Sequence, residues 1–143
     1  MARNTGSIVT EYAELWPREV FDIREGKNRL LTEAQELLSG PGVYVLYRDD
    51  VPYYIGKTEN NLYYRIHKHA NQPGAKYYRY WNYFSAYVVD TIKHIDDVEG
   101  LLITAIPAAA NSSKPKIKKI LLPRSIKNLM GRLRRISADD LRQ

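Results

Sequence analysis

The chain has no cysteine among its 143 residues, which excludes disulfides and any metal centre built on thiolate, so a bound metal would have to rest on oxygen or imidazole. No apolar run approaches the roughly 20 residues that a membrane-spanning helix needs, and residues 1–10 lack the apolar stretch of a secretory signal. A soluble, cytoplasmic protein with no membrane partner is expected. There is no internal repeat and no low-complexity tract. Acid is missing from a long C-terminal stretch: between Gly100 and Ala138 there is no Asp or Glu but nine Lys and Arg, a local charge of +9. Residues 1–99 carry twelve basic and fourteen acidic side chains, net −2, so the overall +6 comes from the C-terminal part. A one-sided basic segment of this kind is either a solvated helix face or a footprint for a polyanion, where each cation near a phosphate releases condensed counterions.

What is present suits one compact core: 44% of the residues are hydrophobic, ample for a domain of this length. Residues 1–27 carry mixed charge without periodicity and read as an irregular arm. Asn28 can cap a helix whose apolar face is Leu30, Leu31, Ala34, Leu37 and Leu38, stopped by Gly40-Pro41. Gly42 to Tyr47 and Val51 to Ile55 are rich in Val, Ile and Tyr and flank the polar turn Arg48-Asp49-Asp50, which predicts a β-hairpin. A third strand is expected from Phe84 to Val89, after the turn at Gln72-Pro73-Gly74 and an aromatic stretch. The expected fold class is therefore α+β, a three-stranded antiparallel sheet flanked by helices. The chain divides into an arm and covering helix (1–40), a core (41–111) and a basic extension packed on or next to it (112–143), a single domain overall.

Two further helices are predicted. Over Asn61 to Ala70, a step of 100° per residue puts Leu62 and Ile66 on the buried stripe with Arg65 and His69 flanking them, and turns Tyr64 and His67 the other way. The next begins at Ile95-Asp96-Asp97, acids suited to a helix N-terminus, and has an apolar arc of Ile95, Val98, Leu102, Ile103 and Ile106. Asp96, Asp97, Gly100 and Thr104 fall on the opposite side, but Glu99 falls inside the arc. A carboxylate among core positions is costly without a cation, so Glu99 calls for an arginine or a metal.

These positions form a pattern. Gly42-Val43-Tyr44 is followed by Tyr54-Ile55-Gly56, the two tyrosines ten positions apart, then by Arg65 on one helix, Glu99 on the next and Asn111 beyond it. Taken singly, each is an ordinary strand, helix or turn residue; jointly they resemble the GIY-YIG nuclease family, with valine where the first motif of the family has isoleucine. The likeness spans about Gly42 to Asn111. It implies the same small antiparallel sheet, one Mg²⁺ or Mn²⁺ per active site, and hydrolysis of a phosphodiester to leave a 5′-phosphate and a 3′-hydroxyl.

Carried onto this chain, the resemblance makes Glu99 the metal ligand, with waters and phosphate oxygens completing the shell, and Tyr44 the general base that activates water. Arg65 would grip the phosphate with its planar donors, Tyr54 would orient phosphate or water, Gly56 would keep the backbone open where the nucleic acid passes, and Asn111 would tie its loop to the site. A free phenol ionises at ~10, so Tyr44 needs a nearby positive charge or a hydrogen bond that favours phenolate, and Lys57 is the candidate for the charge. His69, one turn beyond Arg65, is a competing proton acceptor, and the choice between the two stays open.

DNA is the expected partner, held by Lys114, Lys116, Lys118, Lys119, Arg124, Lys127, Arg132, Arg134 and Arg135. Tyr77, Tyr78, Tyr80, Trp81 and Tyr83, interleaved with Lys76 and Arg79, suit base stacking and core packing equally. His67 and His94 are given no role. The expected activity is a metal-dependent DNA endonuclease, either restriction-type and dimeric or directed to single strands or DNA structures as a monomer. The alternative is a catalytically silent nucleic-acid-binding module of the same fold.

Overall fold

The predicted hairpin lies at the heart of the fold. In the computed structural model, which describes residues 6–22, 29–72, 80–107, 111 and 117–141 and the side chains of these except 29–32 and 137–141, β2 (Gly42–Arg48) and β3 (Val51–Thr58) pair antiparallel. Asp49 takes φ of 57° in the turn between them, a left-handed conformation that Asp tolerates better than most residues and that tight hairpins use. β4 (Tyr83–Val88) pairs with the other side of β2.

A fourth strand, β1 (Glu11–Pro17), pairs antiparallel with β4 and gives the sheet order β1-β4-β2-β3. The sheet thus has four strands where the sequence suggests three, and part of the segment read as an irregular arm is its edge. The reason β1 hides in the sequence is physical. Only Ala13 in it is buried, and the pairing shifts register between Ala13 and Trp16, where Leu15 has φ of 50°. A bulge breaks the period of two by which a half-buried strand is recognised.

Helices cover both faces. β2 is central and apolar on both sides, as a strand buried on each face must be. Tyr44 and Leu46 face a cluster with Leu62, Tyr63 and Ile66 of α2 (Leu62–Asn71) and with Ala34 and Leu38 at the α1 helix (Arg29–Leu37). Val43 and Val45 face the other way, with Ile55 of β3, onto Ile95, Val98, Leu102 and Ile103 of α3 (Ile95–Ala105). Asn61 caps α2, its side-chain oxygen accepting from Tyr64 N at 3.1 Å, one of the otherwise unpartnered donors of a helix start. Asn28 and the Pro73-Gly74 turn lie outside the described residues, as do the side chains of Leu30 and Leu31. Of the face assigned to α1, Ala34 and Leu38 are buried while Leu37 is half exposed.

On α3 the covered arc is wider than the apolar residues alone define. Gly100 is buried and Asp96 partly so, whereas the sequence reading turns both outward. Counting them in, the arc centres on Glu99 and leaves Asp97, Leu101, Thr104 and Ala105 to solvent. The basic segment ends in α4 (Arg124–Leu141), on which every described side chain is exposed.

Candidate active site

Strand alternation distributes the two motifs. Tyr44 on β2 lies opposite Gly56 of β3 on one side and Ala86 of β4 on the other, the two smallest side chains available, and its ring occupies the space above Gly56. A Cβ built on Gly56 would stand 2.4 Å from both Cζ and Oη of Tyr44. Gly56 is therefore bare for the sake of the Tyr44 ring, and substrate does not take that space. Gly56→Ala is expected to push the phenol off its position, cost about 1–3 kcal/mol of stability by overpacking, and reduce turnover by about 10²-fold through misplacement. Thermal unfolding and kcat of the variant check both.

The phenol meets His69. Tyr44 Oη and His69 Nε2 are 2.9 Å apart, across from the last turns of α2, and the Tyr54 ring lies near both, with centroids 6.2 Å from Tyr44 and 5.8 Å from His69. Tyr44 is 1% exposed. Burial first, and then the neighbouring Tyr54 hydroxyl, push its pKa far above the ordinary phenol range; Glu99 adds to this and the Arg65 guanidinium works against it. Tyr44 is thus held as a neutral phenol within hydrogen-bonding distance of His69 Nε2.

Lys57 is elsewhere. One residue past Gly56, it points to the opposite face of β3, where its ammonium forms an ion pair with Asp96 and stands 3.8 Å from Glu99 Oε1. The Asp96 hydrogen bond, then the Glu99 charge, raise the Lys57 pKa against the opposing effect of desolvation. The cation near enough to act on the Tyr44 phenol is Arg65, not Lys57. Asp96 is the residue that sequence reasoning missed, although strand alternation places Lys57 toward α3 and Asp96 is one turn before Glu99.

The site is built at the free edge of β3, where α2 and α3 meet from opposite faces of the sheet. Asn111 closes that edge: its amide donates to Ile55 O at 2.9 Å and accepts from Ile55 N at 2.8 Å, as a neighbouring strand would. An open cleft of about 530 Å³ runs from Lys57 past Glu59, Asn60 and Tyr64 to Arg65, so both cations line one groove. Among the described residues no three His, Cys, Asp or Glu side chains converge on one point. An ion here would therefore rest on Glu99, whose side chain is 17% exposed, with waters and substrate oxygens filling its shell; that donor set fits Mg²⁺, which rarely takes an all-protein cage.

Of the aromatic run, Trp81 is core, with the Arg18 guanidinium over its ring, so burial removes it from base stacking. Tyr80 is exposed and stacks on Tyr53 at 4.1 Å, while Lys76, Tyr77, Tyr78 and Arg79 lie outside the described residues. Lys118, Lys119, Arg124, Lys127, Arg132, Arg134 and Arg135 are exposed and remote in sequence from the site, and Lys114 and Lys116 are not among the described residues. No helix among the described residues is long and apolar enough to cross a membrane.

Comparison with known proteins agrees with the motif reading. Residues 40–104 match the family model of the GIY-YIG catalytic domain. No curated protein matches the chain. Among solved structures, a point mutant of the GIY-YIG N-terminal endonuclease domain of UvrC from Thermotoga maritima, bound to its catalytic divalent cation, is 24% identical, with a TM-score of 0.49 over 62% of this chain and all of that one. The magnesium-bound form of the same domain is 25% identical, with a TM-score of 0.48 over 60% of this chain and 99% of that one. The stretch from residue 40 to 104 that matches the GIY-YIG catalytic domain holds Tyr44, Tyr54, Arg65, His69 and Glu99.

Proposed function

We propose that the protein is a DNA endonuclease that hydrolyses phosphodiesters with one Mg²⁺ or Mn²⁺, leaving 5′-phosphate and 3′-hydroxyl ends. The observation that carries this reading is the 2.9 Å contact between Tyr44 Oη and His69 Nε2, a proton path assembled from residues 25 positions apart beside Arg65 and Glu99. It also reconciles the two candidate bases. Because the phenol is neutral, Tyr44 relays: as a water attacks phosphorus, its proton passes to Tyr44 Oη while the proton of Tyr44 passes to His69 Nε2. No free phenolate accumulates, and His69 ends the step as the cation.

Arg65 lies on the cleft and offsets the charge that gathers on the phosphate oxygens, by paired, planar donors. Lys57, which lines the cleft and is tethered by Asp96, keeps a positive charge beside Glu99. Tyr54 stands beside the relay and orients the phosphate or the water. A metal on Glu99 would supply Lewis acidity at the leaving oxygen. Asn111 supports the frame by fixing the β3 edge.

The basic segment supplies DNA contacts. Arg124 and Arg135 lie within about 20° of each other at 100° per residue on α4, and replacing both by alanine is expected to weaken binding uniformly across sequences. The slope of log affinity against log salt should fall by up to about 2, near 0.9 per phosphate contact; an unchanged slope would remove α4 from the DNA surface. Incubating the protein and Mg²⁺ with random single- and double-stranded DNA pools, then sequencing the cut ends, tests activity and strand preference together. Binding without any metal-dependent cut would instead indicate a silent binding module.

A further inference from the structure

Two surfaces of this chain are complementary and do not meet within it. The first is on α4. At 100° per residue, Ile126, Leu129, Met130, Leu133 and Ile136 form one stripe, and each is exposed, Leu133 to 55% and Ile136 to 58%. Lys127 and Arg134 border the stripe on one side and Arg132 on the other, whereas Arg124 and Arg135 lie on the far face. An apolar stripe of this length on an 18-residue helix is larger than soluble proteins leave uncovered without use.

The second surface is a groove between β1 and α1, at the sheet edge opposite to the nuclease site. Trp16, Pro17, Val20, Ala34 and Leu37 line a hollow of about 260 Å³, which continues past Trp16 and Leu37 to Tyr12. Tyr12 is 65% exposed and Leu37 50%. Its charge is of the opposite sign to α4: Glu33 and Glu11 line it, and the elements that form it also expose Glu14, Glu19 and Glu36. Arg18, the one base on this edge between residues 11 and 22, is turned inward to Ala70 O and Trp81 O.

We propose that the α4 helix of a second copy of this chain occupies the β1–α1 groove, reciprocally, in a two-fold dimer. The apolar stripe would fill the hollow, and Lys127, Arg132 and Arg134 would face the glutamates. Like-charged flanks oppose the other self-pairing, α4 against α4. A stable interface buries about 1,600 Å² in total, and a two-fold exchange makes the contact twice, so each helix has to supply only about half of that. Arg124 and Arg135, facing away from the groove, remain available to a polyanion.

Sedimentation velocity of the full chain, without DNA, tests this. The wild type is expected to form dimers as concentration rises through the micromolar range, and Leu129→Asp with Leu133→Asp to weaken association at least about tenfold. Glu11→Arg with Glu33→Arg should weaken it by a similar factor, and adding Lys127→Glu and Arg134→Glu to that chain should restore it to within about threefold, as paired charges do in a mutant cycle. All of these side chains are at the surface, and circular dichroism confirms that each variant is folded. A wild type that stays monomeric at hundreds of micromolar (on the order of the weakest specific affinities), a dimer indifferent to the Leu129 and Leu133 changes, or charge reversals that fail to rescue would each overturn the proposal.

Discussion

Glu99→Gln should abolish cleavage, by about 10³-fold or more, while leaving DNA binding intact or stronger. The carboxylate is the one acid at the centre of the covered arc of α3, and its charge is balanced in the structure by Lys57 at 3.8 Å. Glutamine keeps the shape but offers a neutral oxygen, which holds a hard dication far less well. It also removes a negative charge beside Lys57, a residue that lines the cleft. Removal of a group that stabilises transition-state charge costs on the order of 10²–10³ by itself, and loss of the ion removes more. Gel shifts, Mg²⁺ calorimetry and a cleavage assay on the same preparation separate these effects; wild-type turnover in this variant would sink the metal assignment.

Tyr44→Phe and His69→Ala should each reduce single-turnover cleavage by about 10²–10⁴-fold, the span of a positioned general base, and the double variant should be little worse than either single one. That non-additivity is the mark of two groups acting as one relay. Phenylalanine preserves the ring packed over Gly56, so the fold is kept, at a cost of about 1 kcal/mol for the lost hydrogen bond. If Tyr44→Phe cleaves normally and only His69→Ala is impaired, the water reaches His69 directly and the phenol is structural. Full loss in Tyr44→Phe with normal rates in His69→Ala would return the base role to tyrosine alone.

The hairpin, α2 and α3 were legible because each buries one continuous apolar face whose period survives in the chain: Val43, Val45 and Ile55 on one side of the sheet, Leu62 and Ile66 on one stripe of α2. β1 was not, because an edge strand with one buried residue and a bulge at Leu15 leaves no period to read. The site divides in the same way. Glu99 could be found from its place among apolar neighbours. The Tyr44–His69 contact depends on how α2 lies across β2, a matter of packing between elements, and sequence spacing leaves it undetermined. Lys57 was readable and misjudged: it is odd in the alternation that makes Tyr54 and Gly56 even, so it faces α3 and Asp96. Gly56 shows the reverse case, where the motif residue is clear but the reason for it, a ring across the strand, exists only in three dimensions.

In the proposed mechanism a neutral phenol hands its proton to His69 beside a carboxylate that would hold the ion. Single-turnover cleavage of one end-labelled DNA cut site, measured for the wild type and the Tyr44→Phe, His69→Ala and Glu99→Gln variants over a Mg²⁺ titration, tests this most directly. The expected result is a metal-dependent product with a 5′-phosphate for the wild type and loss in all three variants, with only Glu99→Gln failing to bind the ion. Cleavage that persists in chelator, or in Glu99→Gln, would contradict it.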